Sequence, residues 1–276
     1  MLEKEILLDN FALALRQGER SRATAEKYRR EAAAFLRWLG EREVSHENAA
    51  AYKAALAETR APAGVNGAVA ALNSLAKSLG LPWRLKAARV QRAVFRDERR
   101  ELTEAEYRRL LAAARAKKNQ RLLLVMEAIC STGIRVSELR FFTVEAVRRG
   151  QADVTNKGKS RTVFLPGKLQ KALLRYARER GIAAGPVFVT RGGKPLDRSN
   201  IWHEMKALCK DAGVAESKVF PHNLRHLFAR AYYALEKDIV RLADILGHSS
   251  VNTTRIYTME SGESHRRLLG RLRLLL

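Results

Sequence analysis

The stretch from Pro221 to Thr258, PHNLRHLFARAYYALEKDIVRLADILGHSSVNTTRIYT, contains His222, Arg225, His248 and Tyr257. Together these side chains could hold an anion, move a proton and attack an electrophile. His222 and Arg225 stand three residues apart just after Pro221, a residue suited to the first turn of a helix. On such a helix they share one face beside its positive N-terminal end, which suits a phosphate. Gly247 fits a helix C-cap and His248 follows in the turn. Ser249, Ser250 and Asn252 can then cap a short helix carrying Tyr257. Two helices joined by a tight turn would aim one histidine and one phenol at the same point. Taken singly, a His-x-x-Arg pair is more often a solvated helix face, and a tyrosine at a helix end is usually packing.

The run Thr132-Gly133-Ile134-Arg135-Val136-Ser137-Glu138-Leu139 changes that weighting. With it, the sequence resembles the tyrosine recombinase (phage integrase) family of site-specific DNA recombinases. The family pattern is an arginine in a Thr-Gly-x-Arg-x-x-Glu-Leu run, a lysine in a β-hairpin, His-x-x-Arg, then Leu-Gly-His with a tyrosine about nine residues on. The likeness is strong over residues 100–260 and weaker over 20–85. It implies that Arg135, Lys157, His222, Arg225, His248 and Tyr257 are catalytic, with Glu138 holding the local architecture. It also implies a 3′-phosphotyrosyl link to Tyr257, a free 5′-hydroxyl protonated by Lys157, and a Holliday junction worked by four protomers, two at a time. Lys157 opens the Lys-Gly-x-Lys turn that the family uses. That turn is one residue shorter than the commonest family form, so Lys159 is a rival.

These residue types suit the chemistry. A phosphodiester is a poor electrophile because its non-bridging oxygens are negative, so attack needs cations on those oxygens and help for the leaving group. Arg135 and Arg225 can each present a planar fork that lysine cannot copy. His248 can donate to the same oxygens, and His222 can accept or relay the proton of the nucleophile. The Tyr257 phenol, ordinarily near a pKa of about 10, is expected to be activated by the surrounding positive field. Neither ATP nor a metal is needed, and no cofactor is expected. His222 and His226 have a zinc-like i, i+4 spacing without a completing ligand, and Gly158-Lys159-Ser160 lacks the first glycine of a phosphate-binding loop.

Composition agrees with a polyanion partner. Lysine and arginine outnumber acids 52 to 29 in 276 residues, a net charge of +23, while 46% of residues are hydrophobic. The charge therefore decorates folded domains rather than a disordered tail. No run of 18 apolar residues and no signal peptide is present, so no membrane is expected and the protein reads as cytoplasmic and nucleoid-associated. Cys130 and Cys209 read as buried free thiols. The partners expected are double-stranded DNA, three further copies in a homotetramer, and accessory DNA-bending proteins.

The elements that must position the site follow in order. Helices are predicted over 3–16, from Thr24 as N-cap to Gly40, from Ser45 to Thr59, and over 62–79. They make an all-helical bundle over residues 1–85, similar to the family's core-binding domain, with Arg29 and Arg30 facing DNA. Residues 86–102 form a basic linker whose Arg92 and Arg96 meet phosphates. Thr103-Glu104-Ala105-Glu106 is a capping box that opens the catalytic domain, 103–276. There the fold is mainly α with a small β-sheet. Strands are predicted over 142–147, 152–155, 162–165 and 187–189, with Lys157 at a hairpin tip. The Arg191-Gly192-Gly193-Lys194 loop can approach a DNA backbone, so Arg191, Lys194 and Lys159 join the DNA-binding set. Ser199 is expected to cap a helix to about 212. The tail 263–276 alternates arginine with leucine at helical spacing and, by resemblance, docks on the next protomer. A helix starting close to Met1 leaves no room for an arm-binding domain.

Three other readings fit parts of the pattern: a recombinase-like fold kept as a DNA-binding regulator, a type IB topoisomerase, and an RNA-associated basic protein. The resemblance also tilts the setting towards a mobile element.

Overall fold

The computed structural model describes residues 2–90, 97–156, 158–190, 192–259 and 262–271. Arg92, Arg96, Lys157 and Arg191 lie outside the described residues. The chain divides into two compact units, Met1–Arg92 and Ala93–Leu276.

The first unit holds helices α1 (Leu2–Gln17), α2 (Arg22–Leu39), α3 (His46–Thr59) and α4 (Pro62–Ser78). Apolar side chains at helical spacing meet in one core, among them Phe11, Phe35, Leu39, Tyr52, Leu72 and Leu75. Each large side chain buried in this way contributes roughly 1.5–3 kcal/mol. Helix α2 starts earlier than Thr24 predicts, because Ser21 is the N-cap and accepts from the Thr24 amide. Ser45 caps α3 as the sequence predicts.

The basic segment after α4 is fastened to this unit. Asn66 and Asn73 on α4 each make two hydrogen bonds to backbone: Asn66 with Ala88 at 2.8 and 2.9 Å, and Asn73 with Leu85 at 2.8 and 3.0 Å. Seven helical residues rise about 10.5 Å and three extended residues about 10 Å, so the two amides meet successive turns of the extended chain in register.

In the second unit, Thr103 and Glu106 form the capping box that starts α5 (Glu104–Ala116). Helix α6 (Gln120–Thr132) follows and ends at Gly133. A 3₁₀ turn spans Val136–Phe141. The stretch at 142–147 is not a strand: Thr143 caps helix α7 (Val144–Arg149) there. Phe142, Val144 and Ala146 alternate with Thr143 and Glu145, which reads as a strand, but so short a stretch does not exclude a helix, and here the N-cap decides. Strands β1 (Gln151–Asn156) and β2 (Lys159–Phe164) then pair antiparallel, Asn156 opposite Lys159, as the only sheet among the described residues.

Helix α8 (Gly167–Glu179) leads to residues 187–189, which are not a strand but carry one end of a single bridge, Val189 to Pro195. The expected helix from Ser199 is capped instead by Asp197 and splits into α9 (Arg198–Lys206) and α10 (Cys209–Ala212). Helices α11 (Pro221–Glu236), α12 (Ile239–Leu246) and α13 (Val251–Thr254), a 3₁₀ turn over Arg255–Tyr257, and α14 (Gly262–Arg271) complete the unit. Helix α11 is tied to the segment where the unit begins. Asn223, buried, donates to the Arg100 carbonyl at 2.9 Å, and Arg230 donates to the Leu102 carbonyl at 2.6 Å.

Candidate active site

Two glycine caps build the floor of the site. Gly133 ends α6 and Gly247 ends α12, both left-handed, with φ of +66° and +64°. A helix end presents carbonyls without intrahelical partners and carries partial negative charge, which suits a guanidinium. Arg225, only 1% exposed, uses both. It donates from one terminal nitrogen to the Gly133 carbonyl and from the other to the Leu246 carbonyl at 2.6 Å. Arg135 donates to the Gly247 carbonyl at 3.2 Å. The two arginines expected to meet a phosphate are therefore held from behind by the ends of two helices.

Glu138 is the hub beside them. It is 1% exposed and accepts from the Arg135 backbone amide at 2.9 Å and from the Arg135 guanidinium at 2.8 Å. It also accepts two bonds from Arg161, at 3.1 and 2.7 Å. Burial alone would push this carboxyl up, but the bonds from Arg161 and Arg135 outweigh it and pull the pKa down to about 2. Glu138 is thus ionised wherever the protein is folded near neutral pH. Arg161 is the residue that the sequence reading passed over. Strand alternation was its signal: Arg161 and Val163 share a face of β2, and Val163 is buried.

His248 follows Gly247 and lies against Arg225. Its Nε2 is 3.2 Å from an Arg225 terminal nitrogen, and its Nδ1 is 2.8 Å from the Thr254 hydroxyl. Because the guanidinium can only donate, Nε2 accepts here, and the imidazole proton sits on Nδ1, donated to Thr254. Burial, then the charges of Arg225 and Arg135, lower the His248 pKa to about 4.

Tyr257 is 6% exposed and packs with Ala229, Leu242 and Leu246. Its ring lies nearly parallel to His248, with centroids 6.4 Å apart. Burial raises the phenol pKa, and Arg225, by charge and hydrogen bond, opposes that rise without reversing it. The positive field works in the direction expected from the sequence, but desolvation is the larger effect.

His222 stands on α11 with its ring 4.4 Å from that of His226, which in turn meets the Tyr257 ring edge-on at 5.2 Å. Partial burial, then Arg225, Arg135 and Arg198, lower the His222 pKa. His226 is driven further, to about 3, by burial and then by His222.

Lys159 lines a cleft of about 550 Å³ with Arg135, Arg161, His248 and Ser249. Lys157, its rival, lies outside the described residues. The remaining DNA-binding candidates are not brought into this cluster. Lys194 is exposed in its loop; Arg30 is exposed on α2, and Arg29 beside it pairs with Asp9 at 3.0 Å. Arg29 does share a groove of the first unit with Arg16, Arg20 and Arg22, basic residues the sequence reading did not single out. Among the described residues no cluster of histidine, cysteine, aspartate and glutamate could hold a metal ion, and no helix is long and apolar enough to cross a membrane.

The arrangement can grip one tetrahedral anion between two guanidiniums and an imidazole, with a phenol at its edge. Comparison with known proteins leads to the same chemistry. Residues 100–263 match the phage integrase family. Over 266 residues the chain is 32% identical to the tyrosine recombinase XerD of Xanthomonas axonopodis pv. citri (strain 306), covering 87% of each sequence. It matches a crystal structure of XerA recombinase over 99% of both chains, with a TM-score of 0.54 at 26% identity. A lambda integrase fragment solved as a dimer on a core DNA site shares the fold, with a TM-score of 0.73 at 19% identity over 94% of this chain and 96% of that one. Since the family match falls on the stretch that builds this cluster, the chain belongs to the phage integrase family of tyrosine recombinases, enzymes that cut and rejoin DNA at specific sites.

Proposed function

We propose that Tyr257 is the nucleophile of the recombination reaction, attacking a phosphodiester held by Arg135, Arg225 and His248. The observation that carries this reading is the convergence of three helix ends on one point: the caps of α6 and α12 seat the arginines, and α11 supplies Arg225 itself. The buried Nε of Arg225 makes no hydrogen bond among the described residues, so it is a donor left for a phosphate oxygen. A phosphate also changes His248. The added negative charge raises the imidazole pKa, so that Nε2 can carry a proton to the transition state.

His222 accepts or relays the phenol proton, and Glu138 supports Arg135. Lys157 protonates the departing 5′-hydroxyl, and Lys159, which lines the cleft, contacts the strand beside it. The 3′-phosphotyrosyl link conserves the bond energy, so rejoining needs neither ATP nor metal. Residues 1–85 act as the core-binding domain, with Arg29 and Arg30 on phosphates. Arg92 and Arg96 in the linker 86–102, and Arg191 and Lys194 in the catalytic domain 103–276, extend that contact. Four copies assemble on two synapsed sites, with accessory DNA-bending proteins where the site requires them, and the protein resides with the nucleoid. A lambda integrase tetramer on a Holliday junction, sharing this fold at a TM-score of 0.73, supports that assembly.

The test is covalent trapping. The protein is incubated without metal or ATP with nicked duplexes carrying a randomised core, and adducts surviving SDS are counted beside Tyr257→Phe. The wild type should yield an adduct and Tyr257→Phe none, with DNA binding intact in both. An adduct that persists in the phenylalanine variant places the nucleophile elsewhere.

A further inference from the structure

Glu138 serves two arginines unequally. Arg161 reaches it with both terminal nitrogens, one on each carboxylate oxygen, which is the fork geometry that makes such pairs strong. Arg135 reaches it with one terminal nitrogen, and its other terminal nitrogen goes to the Gly247 carbonyl at 3.2 Å. With the Arg135 backbone amide added, the carboxylate accepts at least four hydrogen bonds, about its full acceptor capacity. A carboxylate so filled has no room for a second guanidinium fork. Among the described residues the Nε of Arg135 makes no hydrogen bond, and its side chain is 29% exposed. Arg161 differs on every count. Its side chain is 13% exposed, and its Nε donates to the Ile245 carbonyl at 3.1 Å, so all three of its nitrogens are engaged within the protein.

We propose that Arg161 is a positioning residue for the reaction: by occupying Glu138 with its own fork, it stops Arg135 from collapsing onto that carboxylate and keeps the Arg135 fork turned to the scissile phosphate. The inference rests on the reading of Arg135 as a phosphate ligand. Remove Arg161, and Glu138 is a buried anion that has lost two hydrogen bonds beside a flexible cation. The nearest way to replace them is for Arg135 to rotate and bind bidentately, which withdraws it from the substrate. The same contact joins the hairpin to the arginine, since Arg161 lies on β2 two residues from Lys159.

The proposal makes an unusual demand on a double variant. In the trapping assay on nicked duplexes with a randomised core, Arg161→Gln should form adduct roughly 10- to 100-fold more slowly while binding DNA normally. Arg161→Gln/Glu138→Gln should recover about tenfold of that loss, because a neutral amide no longer captures Arg135. Arg161→Lys keeps the charge but not the fork, so it should also be slow. A double variant no faster than Arg161→Gln, or a wild-type rate in Arg161→Gln or Arg161→Lys, overturns the proposal. Arg135→Lys is run alongside. If it cleaves at the wild-type rate, the underlying reading of Arg135 fails; if it is inactive while Arg161→Gln is normal, only the present inference fails. A crystal structure of Arg161→Gln gives a readout independent of DNA. Both terminal nitrogens of Arg135 should lie on Glu138, and an unchanged single-point contact overturns the idea.

Discussion

Replacing Gly133 by alanine adds one methyl group and should be among the most damaging small substitutions in the chain. The residue sits at φ +66°, where an L side chain costs about 1–2 kcal/mol. An added Cβ would stand 2.5 Å from two ring carbons of Phe228 and 3.0 Å from a Leu246 methyl. Ordinary carbon contacts lie at about 3.5–4 Å, so the ring must move by on the order of 1 Å in a packed interior, at about 1–3 kcal/mol. The sum, about 2–5 kcal/mol, is a large part of the roughly 5–15 kcal/mol that holds a domain folded. The Gly133 carbonyl also seats Arg225, so molecules that remain folded should cleave more slowly. Gly213→Ala is the control: its φ is +58°, but no atom lies within 4 Å of the added carbon, leaving the backbone cost alone. Urea unfolding can be followed at Trp202 after replacing Trp38 and Trp83 by phenylalanine, so that only the second unit reports. If Gly133→Ala falls within about 0.5 kcal/mol of Gly213→Ala, the clash argument is refuted.

Arg225→Lys should lose both stability and chemistry, because a single ammonium cannot reach the Gly133 and Leu246 carbonyls together, and cleavage should drop by roughly 10²–10³; a lysine variant matching the wild type in unfolding midpoint and adduct yield contradicts the double seating. The folded-state pKa values of His226 and His248, about 3 and about 4, lie below the unfolded value of about 6.5. Their contribution is therefore complete above pH 6.5 and is lost as pH falls towards 4, with His226 the larger contributor because solvent screens the less buried His248. The urea midpoint should drop between pH 7.5 and 5, and His226→Gln should flatten the curve. Asn66→Ala and Asn73→Ala each remove two backbone hydrogen bonds of about 1 kcal/mol apiece, and should expose Arg84 and Arg89 to trypsin; unchanged digestion rates dispose of the register argument.

Where sequence and structure part company, the cause is either a local cap, as at Ser21, Thr143 and Asp197, or a contact made at long range. The helices of the first unit, the capping box at Thr103 and the turn through Gly247 are local, and their signals lie within a few residues of the features they mark. The strand expected at 142–147 failed because a two-residue alternation over six positions is weaker than the N-cap that Thr143 supplies to the helix behind it. Arg135, His222, Arg225, His248 and Tyr257, which the structure gathers in one cluster, were legible as candidates because they belong to a motif. Arg161 belongs to none: its partner Glu138 is 23 residues away and the Ile245 carbonyl 84. Only the inward phase of β2 hinted at it. The burial of Tyr257 was illegible for a related reason. Positive charge can be counted in a sequence, but the burial that outweighs it depends on Ala229, Leu242 and Leu246 closing over the ring.

The basic segment is fastened at each described end, and each fastening passes load to a helix. Strain arriving from the first unit is borne by α4 through Asn66 and Asn73, as far as Ala88. At the other end, tension reaching Arg100 and Leu102 passes through Asn223 and Arg230 into α11, the helix on which His222 and Arg225 stand. Asn223 lies between those two residues in the sequence. A pull on Arg100 or Leu102 is therefore delivered within one helical turn of His222 and Arg225, so a load on that segment is a load on the cluster.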